Sequence, residues 1–248
     1  METGDKLTIG GFIISGNAPK KVGIRGMGPV LAGFGITDFL ADPFLELRSS
    51  SGTLLQSNDN WKDAQQAEIE AIGLAPSDNR EAVIVTTLNP GSYTAFLTGK
   101  GGTTGVGLVE IYDVSPASDS QLANISTRGF VQGENNVLIA GFILGTNTAN
   151  GRIAIRGLGP SLSQFGLNPV MADPTLELHD NNGATLITND DWETDTVSAA
   201  NLVLFNLAPT NPKEAGIFTS LPPGTFTAIL AGKAGGIGIG LVEIYNLK

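Results

Sequence analysis

The chain has 248 residues, of which 15% are charged and 41% hydrophobic, and its formal net charge is −10. It contains no Cys and a single His, which excludes disulfide scaffolds, thiol nucleophiles and Cys-ligated or His-rich metal centres. The acidic balance argues against nucleic acid and anionic membrane surfaces as partners, because both attract basic patches, and the 33 Gly residues predict many turns and few long helices.

Short segments that alternate apolar and polar residues follow one another from the N-terminus. In the first half of the chain these predicted strands cover residues 7–14, 21–25, 44–48, 53–56, 82–86, 93–97 and 107–112. The helical candidate of this half is 62–72, where Ile69 and Ile72 lie three residues apart, and its more β-branched counterpart is 193–205. Seven or eight short strands per stretch of about 115 to 130 residues predict an all-β fold of antiparallel, jelly-roll-like β-sandwiches.

The second half of the chain repeats the first. Residues 105–112 and 238–245 are identical at 7 of 8 positions. Residues 22–35 and 153–166 are identical at 8 of 14 positions. Such self-similarity is typical of repeated structural units, and it predicts an internal duplication with a β-sandwich over 1–114, a linker over 115–121 and a second β-sandwich over 122–248.

The two predicted repeats differ at their beginnings. Residues 122–131 form a strand-like run that opens the C-terminal repeat, and the N-terminal repeat has no counterpart of it. The sheet of the N-terminal repeat is therefore expected to expose an edge, and an exposed edge is a template for pairing with another strand. Self-association through this edge, or contact with neighbouring domains of a longer secreted chain, is the expected mode of partnership.

Clusters of acidic and amide residues recur beside the third and fourth predicted strands of each repeat. Antiparallel hairpin pairing brings the start of one strand near the end of the next, so the members of each cluster are expected to lie close together. Carboxylate and amide oxygens are the ligands that Ca²⁺ prefers, so calcium is the candidate cofactor. Two alternatives stay open, namely turn formers that bond their own backbone and a polar binding rim. The six residues are Asp42, Asn58, Asp59, Asp173, Asn189 and Asp190.

Two tryptophans, Trp61 and Trp192, follow these clusters at matching positions. A solvent-facing indole can serve as a platform for a sugar ring, because its apolar face covers the ring C–H groups. Both residues are therefore candidate polysaccharide-binding residues, and capping of the sandwich core is the alternative.

One Arg and two Glu residues recur on predicted strands of each repeat with apolar neighbours on either side. They predict a shielded ion-pair network within each repeat, with a carboxylate-binding or catalytic role as the alternative. No nucleophile and base accompany them, so the chain is predicted not to be an enzyme. The six residues are Arg25, Glu46, Glu110, Arg156, Glu177 and Glu243.

Family resemblance supports the same class of fold. Residues 42–60 and 90–99 resemble the bacterial pre-peptidase C-terminal (PPC) domain, a jelly-roll-like β-sandwich appended to secreted enzymes and surface proteins. The rest of each repeat, including 24–29 and 122–131, resembles tandem repeats of unassigned function at the C-termini of large secreted bacterial proteins, notably from Verrucomicrobia-like organisms. This second resemblance spans nearly the whole chain and implies an extracellular, non-catalytic module.

These observations predict an extracellular structural or interaction module for surface attachment, adhesion or assembly by strand pairing. The alternative is a polysaccharide-binding module that uses Trp61, Trp192 and the acidic clusters, with calcium. No apolar run reaches the roughly 18 residues of a transmembrane helix, and the residues after Met1 lack the pattern of a signal peptide.

Overall fold

A computed structural model describes residues 8–115, 118–132, 137–145 and 150–247. The chain divides into two compact units, unit 1 (Met1–Ala123) and unit 2 (Asn124–Lys248). Each unit consists mainly of antiparallel strands. The predicted all-β, antiparallel sandwich class is confirmed.

Seven strands of unit 1 are β1 (Thr8–Gly16), β2 (Lys20–Met27), β3 (Pro43–Ser49), β4 (Leu54–Asn58), β5 (Ala82–Leu88), β6 (Gly91–Gly99) and β7 (Leu108–Asp113). They form one sheet of order β1-β6-β3-β4 and another of order β5-β2-β7. All seven strands match predicted segments. Helix α1 (Gln66–Ala71) is shorter than the predicted helix over 62–72, and 3-10 helices cover Pro29–Phe34 and Lys100–Gly102.

The core of unit 1 lies between these two sheets. Alternate residues of β1 point inward, with Phe12 and Ile14 buried, and β2 contributes Ile24 from the facing sheet. Leu45 and Leu47 of β3 join the same cluster and are fully buried. Side chains from both sheets therefore meet in one layer, as the period of two along each strand requires, and burial of each such side chain contributes about 1.5–3 kcal/mol.

The described part of unit 2 contains eight strands. They are β8 (Ser120–Val131), which begins in unit 1, then β9 (Leu138–Leu144), β10 (Gly151–Leu158), β11 (Pro174–His179), β12 (Thr185–Asn189), β13 (Ala215–Leu221), β14 (Gly224–Gly232) and β15 (Gly238–Leu247). Helix α2 covers Thr196–Leu204, and 3-10 helices cover Pro160–Phe165 and Lys233–Gly235. The strand orders are β13-β10-β15-β8 and β12-β11-β14-β9. Eight strands divided in this way between two four-stranded sheets form a jelly roll.

The segment predicted as a linker, 115–121, is tied to unit 1 where the structure describes it. The Ser115 hydroxyl accepts a hydrogen bond from the backbone N–H of Lys21 at 3.0 Å. The Ser120 hydroxyl accepts one from the backbone N–H of Ala18, also at 3.0 Å. The division between the units falls within β8 and not before it, because these side chains fasten the segment to Ala18, in the loop between β1 and β2, and to Lys21 of β2.

Candidate functional site

The two units differ in the strand pairing of β7 and of its counterpart β15. In unit 2, β15 is paired on both sides, with β10 and with β8. In unit 1, β7 holds the corresponding place and pairs with β2. Within the described ranges, no strand pairs with its other side. The counterpart of β8 that the sequence analysis found to be lacking is thus also lacking from the described part of this sheet.

Side chains on β7 are less buried than their counterparts on β15. Val242 and Ile244 of β15 are 0% and 4% exposed. Their counterparts on β7, Val109 and Ile111, contact the core but are only half-buried. Leu108, on the same strand, is 41% exposed. A neighbouring strand normally covers such side chains as well as the backbone. Within the described part of the chain, β7 therefore presents apolar surface and unpaired backbone groups together.

An ion pair joins β2 to β7 in unit 1. Arg25 and Glu110 stand directly opposite each other in the strand register, and the Arg25 Nε atom donates to Glu110 Oε2 at 2.6 Å. The Tyr112 hydroxyl donates to the other carboxylate oxygen at 3.0 Å, and the Arg25 guanidinium lies over the Tyr112 ring. Burial raises the pKa of Tyr112 above its ordinary value, so this phenol remains protonated and remains a donor at neutral pH.

Unit 2 contains the same arrangement. Arg156 of β10 is opposite Glu243 of β15, and its Nε atom donates to Glu243 Oε2 at 2.7 Å. The guanidinium also donates to the Tyr245 hydroxyl at 3.3 Å. Burial, with a further contribution from Glu243, raises the pKa of Tyr245 to about 12. These clusters hold two strands together through charge-assisted hydrogen bonds, which supports the predicted network for this pair of residues.

Glu46 and Glu177 are not part of these clusters, and the prediction that placed them there is wrong. They lie on β3 and β11, which belong to the other sheet of each sandwich. Glu46 pairs with Arg48 at 2.9 Å, and Glu177 contacts His179 at 2.9 Å. Residues two apart lie on the same face of a strand, so each glutamate pairs along its own strand.

Two buried glutamates that the sequence analysis did not identify anchor the loop after β2 and its counterpart after β10. Glu81 is 0% exposed, and its two carboxylate oxygens accept hydrogen bonds from the backbone N–H groups of Gly28 at 2.7 Å and Val30 at 2.8 Å. A Cβ at Gly28 would lie 2.0 Å from a backbone oxygen, so this loop requires glycine. Glu214, also 0% exposed, accepts a hydrogen bond from the backbone N–H of Gly159 at 3.0 Å.

The sequence does contain one signal for these glutamates, since they recur at matched positions of the two repeats. Arg-Glu-Ala at 80–82 returns as Lys-Glu-Ala at 213–215. A charged residue just before a strand ordinarily faces solvent, and for that reason the pattern did not indicate burial.

The tryptophan prediction fails at Trp61. This side chain is 4% exposed and packs in a small core cluster with Ile69 and Val83. Its indole N–H donates to the backbone oxygen of Asp78 at 3.2 Å. A buried ring has no free face on which a sugar could stack, so Trp61 caps the core. Trp192 is partly exposed, and its role in binding stays a prediction.

The acidic cluster of unit 1 is already occupied by protein groups. The Asn58 side-chain oxygen accepts from the backbone N–H of Val83 at 2.9 Å, and Lys100 forms an ion pair with Asp59. The Asp59 carboxylate raises the pKa of Lys100 above its ordinary value. The lysine ammonium thus supplies the positive charge that the sequence analysis assigned to calcium.

The acidic cluster of unit 2 repeats these contacts. Asn189 accepts from the backbone N–H of Gly216 at 2.8 Å, and Lys233 pairs with Asp190 at 2.7 Å. One oxygen of Asp42 and one of Asp173 are buried without a hydrogen-bond partner among the described residues. Within the part of the chain that is described, no group of three or more His, Cys, Asp or Glu side chains is placed to hold a metal ion.

Comparison with known proteins identifies no family. No family model and no curated protein matches the chain. Among solved structures it is similar to the STIV MCP, with a TM-score of 0.26 and 12% identity over 97% of this chain and 91% of that chain. It is also similar to the infectious bursal disease virus VP2 subviral particle, with a TM-score of 0.21 and 9% identity over 99% and 69% of the two chains. TM-scores this low carry no argument about function. Among the described residues, no helix has the length and apolar character needed to cross a membrane.

Proposed function

We propose that the chain is a non-catalytic assembly module whose β7 edge accepts a strand from another polypeptide segment. The observation that carries this proposal is the pairing of β15 with β8 in unit 2, compared with the side of β7 on which no strand of the described ranges pairs. Strand addition of this kind gains affinity from main-chain hydrogen bonds and specificity from alternate side chains.

The chemistry of the incoming strand follows from the acceptor sequence. Residues 105–112, which include β7, are identical at 7 of 8 positions to 238–245. In unit 2 those residues pair antiparallel with β8, from Gly238 opposite Val131 to Tyr245 opposite Asn124. Nearly identical acceptors favour the same donor, so the partner is a strand with the sequence pattern of β8, running antiparallel to β7.

Core contacts set the register of the donor. In unit 2, Ile125 of β8 stands opposite Ile244 and packs against the core. A donor in the same register places its isoleucine opposite Ile111, one of the half-buried residues of β7. The incoming strand would then cover apolar side chains of β7 and form backbone hydrogen bonds with its edge. Both interactions favour binding.

A titration with a synthetic peptide tests the proposal. The peptide has the sequence of residues 122–131 and is added to the full chain labelled with ¹³C in its methyl groups. We expect saturable shifts in the methyl resonances of Val109 and Ile111, and none in those of Val242 and Ile244, whose edge is already paired. The matched control is a peptide with Ile125→Asp, which would bury an unpaired carboxylate against Ile111 and lose binding.

The negative outcomes of this titration are distinct. Absence of saturable shifts would overturn the assembly function, and equal binding of the two peptides would show nonspecific association. Equal shifts on β7 and β15 would show that the unpaired edge confers no selectivity.

An extracellular location belongs to the same proposal and is supported by the resemblance to modules of secreted bacterial proteins. The polysaccharide alternative loses the solvent-facing platform that it required at Trp61. It retains Trp192 alone, so strand pairing is the function that the geometry supports best.

A further inference from the structure

Strand β9 lies at the edge of the sheet β12-β11-β14-β9 in unit 2. It pairs with β14 on one side, and within the described ranges no strand pairs with its other side. Burial alternates along the strand, so that Phe142 points to the core, whereas Ile139 and Ile143 on the outer face are 56% and 72% exposed. An edge with exposed apolar side chains is a template for pairing with another chain.

The other sheet of unit 2 has an edge that is closed by side chains. At β13, the backbone N–H of Gly216 donates to the Asn189 side-chain oxygen at 2.8 Å, and the N–H of Phe218 donates to the Ser198 hydroxyl at 2.7 Å. Natural edge strands are also shielded by charged residues, proline or bulges. Residues 138–144 contain no charged residue and no proline, and their register with β14 is continuous. Strand β9 therefore lacks these features that discourage pairing.

The sequence of β9 identifies a second copy of the chain as its partner. Residues 138–144 read Leu-Ile-Ala-Gly-Phe-Ile-Leu, which is a palindrome about Gly141 except for Ala140 and Phe142. Two identical strands that pair antiparallel are related by a two-fold axis, and each residue contact then occurs twice. When the axis passes through the Gly141 pair, Ala140 of one copy lies opposite Phe142 of the other, so a small side chain meets a large one.

The same register covers the exposed isoleucines. Ile139 of each copy lies opposite Ile143 of the other, on the outer face of the joined sheets. Cross-strand apolar pairs and the backbone hydrogen bonds of a new ladder both favour association. The chain has a net charge of −10, but β9 itself is uncharged and brings no like charges together. We propose that β9 is a self-association strand, through which two copies of the chain pair antiparallel about Gly141.

The corresponding strand of unit 1, β1, does not share this surface. Residues 11–13 repeat the Gly-Phe-Ile of 141–143, but Thr8 stands where β9 has Leu138, so the palindrome is not complete. Ile13, on the outer face of β1, is half-buried. The self-pairing surface is therefore specific to unit 2.

Cysteine cross-linking of the full chain tests this contact, because the natural sequence contains no Cys. Directly opposite residues of an antiparallel pair have Cα atoms about 4.5–5.5 Å apart, and disulfides join Cα atoms about 4.4–6.8 Å apart. A Cβ at Gly141 would lie 3.9 Å from the backbone oxygen of Phe226, which is an ordinary contact. We expect mild oxidation of Gly141→Cys to give a covalent dimer, because Gly141 lies opposite its own copy.

Mixtures of single-cysteine chains test the register. Ile139→Cys and Ile143→Cys should cross-link with each other, because these positions lie opposite across the pair. Neither variant should cross-link efficiently with itself, since its two cysteines are four residues apart along the strands, or about 13 Å. The matched control replaces Ile139→Cys with Ile237→Cys, because Ile237 is 57% exposed and therefore reports random collision at the same accessibility.

Sedimentation velocity over a range of concentrations measures the association itself. The natural chain should form a concentration-dependent dimer, and Ile143→Lys should raise its dissociation constant by about tenfold or more, because each copy would place an ammonium group against apolar side chains. Ile237→Lys is the control and should leave dimerisation unchanged. A chain that stays monomeric, a dimer insensitive to Ile143→Lys, or cross-linking of Gly141→Cys no faster than that of Ile237→Cys would each overturn the proposal.

Discussion

Removal of the buried Glu81 carboxylate is expected to be the most damaging single substitution in unit 1 outside its apolar core. Glu81→Ala leaves the N–H groups of Gly28 and Val30 without their acceptor. Each unsatisfied buried donor costs about 1–3 kcal/mol, so the two together cost about 4 kcal/mol. Glu81→Gln keeps one acceptor oxygen and should cost about half as much.

Urea denaturation with a single fluorescent reporter measures this loss. A Trp192→Phe background leaves Trp61, which is buried in unit 1, as the only tryptophan. With a slope of about 2 kcal/mol per M urea, a loss of 4 kcal/mol moves the midpoint down by about 2 M. Glu70→Ala, at an exposed position on α1, is the control and should change stability by less than about 0.5 kcal/mol. If Glu81→Ala were as stable as this control, Glu81 would not anchor the loop.

Further predictions concern charge. Burial raises the pKa of Glu81 above its ordinary value of 4.5. At pH values just above 4.5 the folded state therefore binds more protons than the unfolded state, and the free energy of unfolding falls as the pH rises. Glu81→Gln should remove this pH dependence, and a free energy of unfolding that rises with pH because of Glu81 would contradict the account. Lys20 is 0% exposed and pairs with Asp113 at 2.7 Å. A hydrogen bond between charged groups contributes about 1.5–3 kcal/mol, so Lys20→Met should lower the free energy of unfolding, measured by urea denaturation, by about 2 kcal/mol. A loss below about 0.5 kcal/mol would show that the pair contributes little. Because Lys100 already neutralises Asp59, a chelator should leave the melting temperature unchanged. A fall of several degrees would instead support the predicted calcium site.

The strands could be predicted because their physical cause is local. Alternation along β1 and β3 places apolar residues on one face, and that pattern needs no knowledge of the partner strand. Helix α1 was also within reach of the sequence, although its first turn begins later than expected. The absence of a β8 counterpart in the first repeat was predicted by the repeat comparison alone.

The contacts of several site residues depend on which strands are neighbours in a sheet, and the sequence does not predict those neighbours. Arg25 meets Glu110 because β2 and β7 are neighbours in one sheet, whereas Glu46 lies in the other sheet. Sequence alone does not distribute strands between two sheets, so both glutamates looked equivalent. Trp61 is buried by Ile69 and Val83, and the sequence pattern alone does not place these residues around the indole.

Amide hydrogen exchange on β7 tests the central claim most directly. In an antiparallel strand about half of the N–H groups point to each neighbour, so the outward groups of Leu108–Asp113 should exchange rapidly while those of β15 stay protected. Addition of the peptide with the sequence of residues 122–131 should slow exchange of the β7 groups and leave β15 unchanged. Full protection of β7 in the free chain, or no change with the peptide, would contradict the account of β7 as an open strand acceptor.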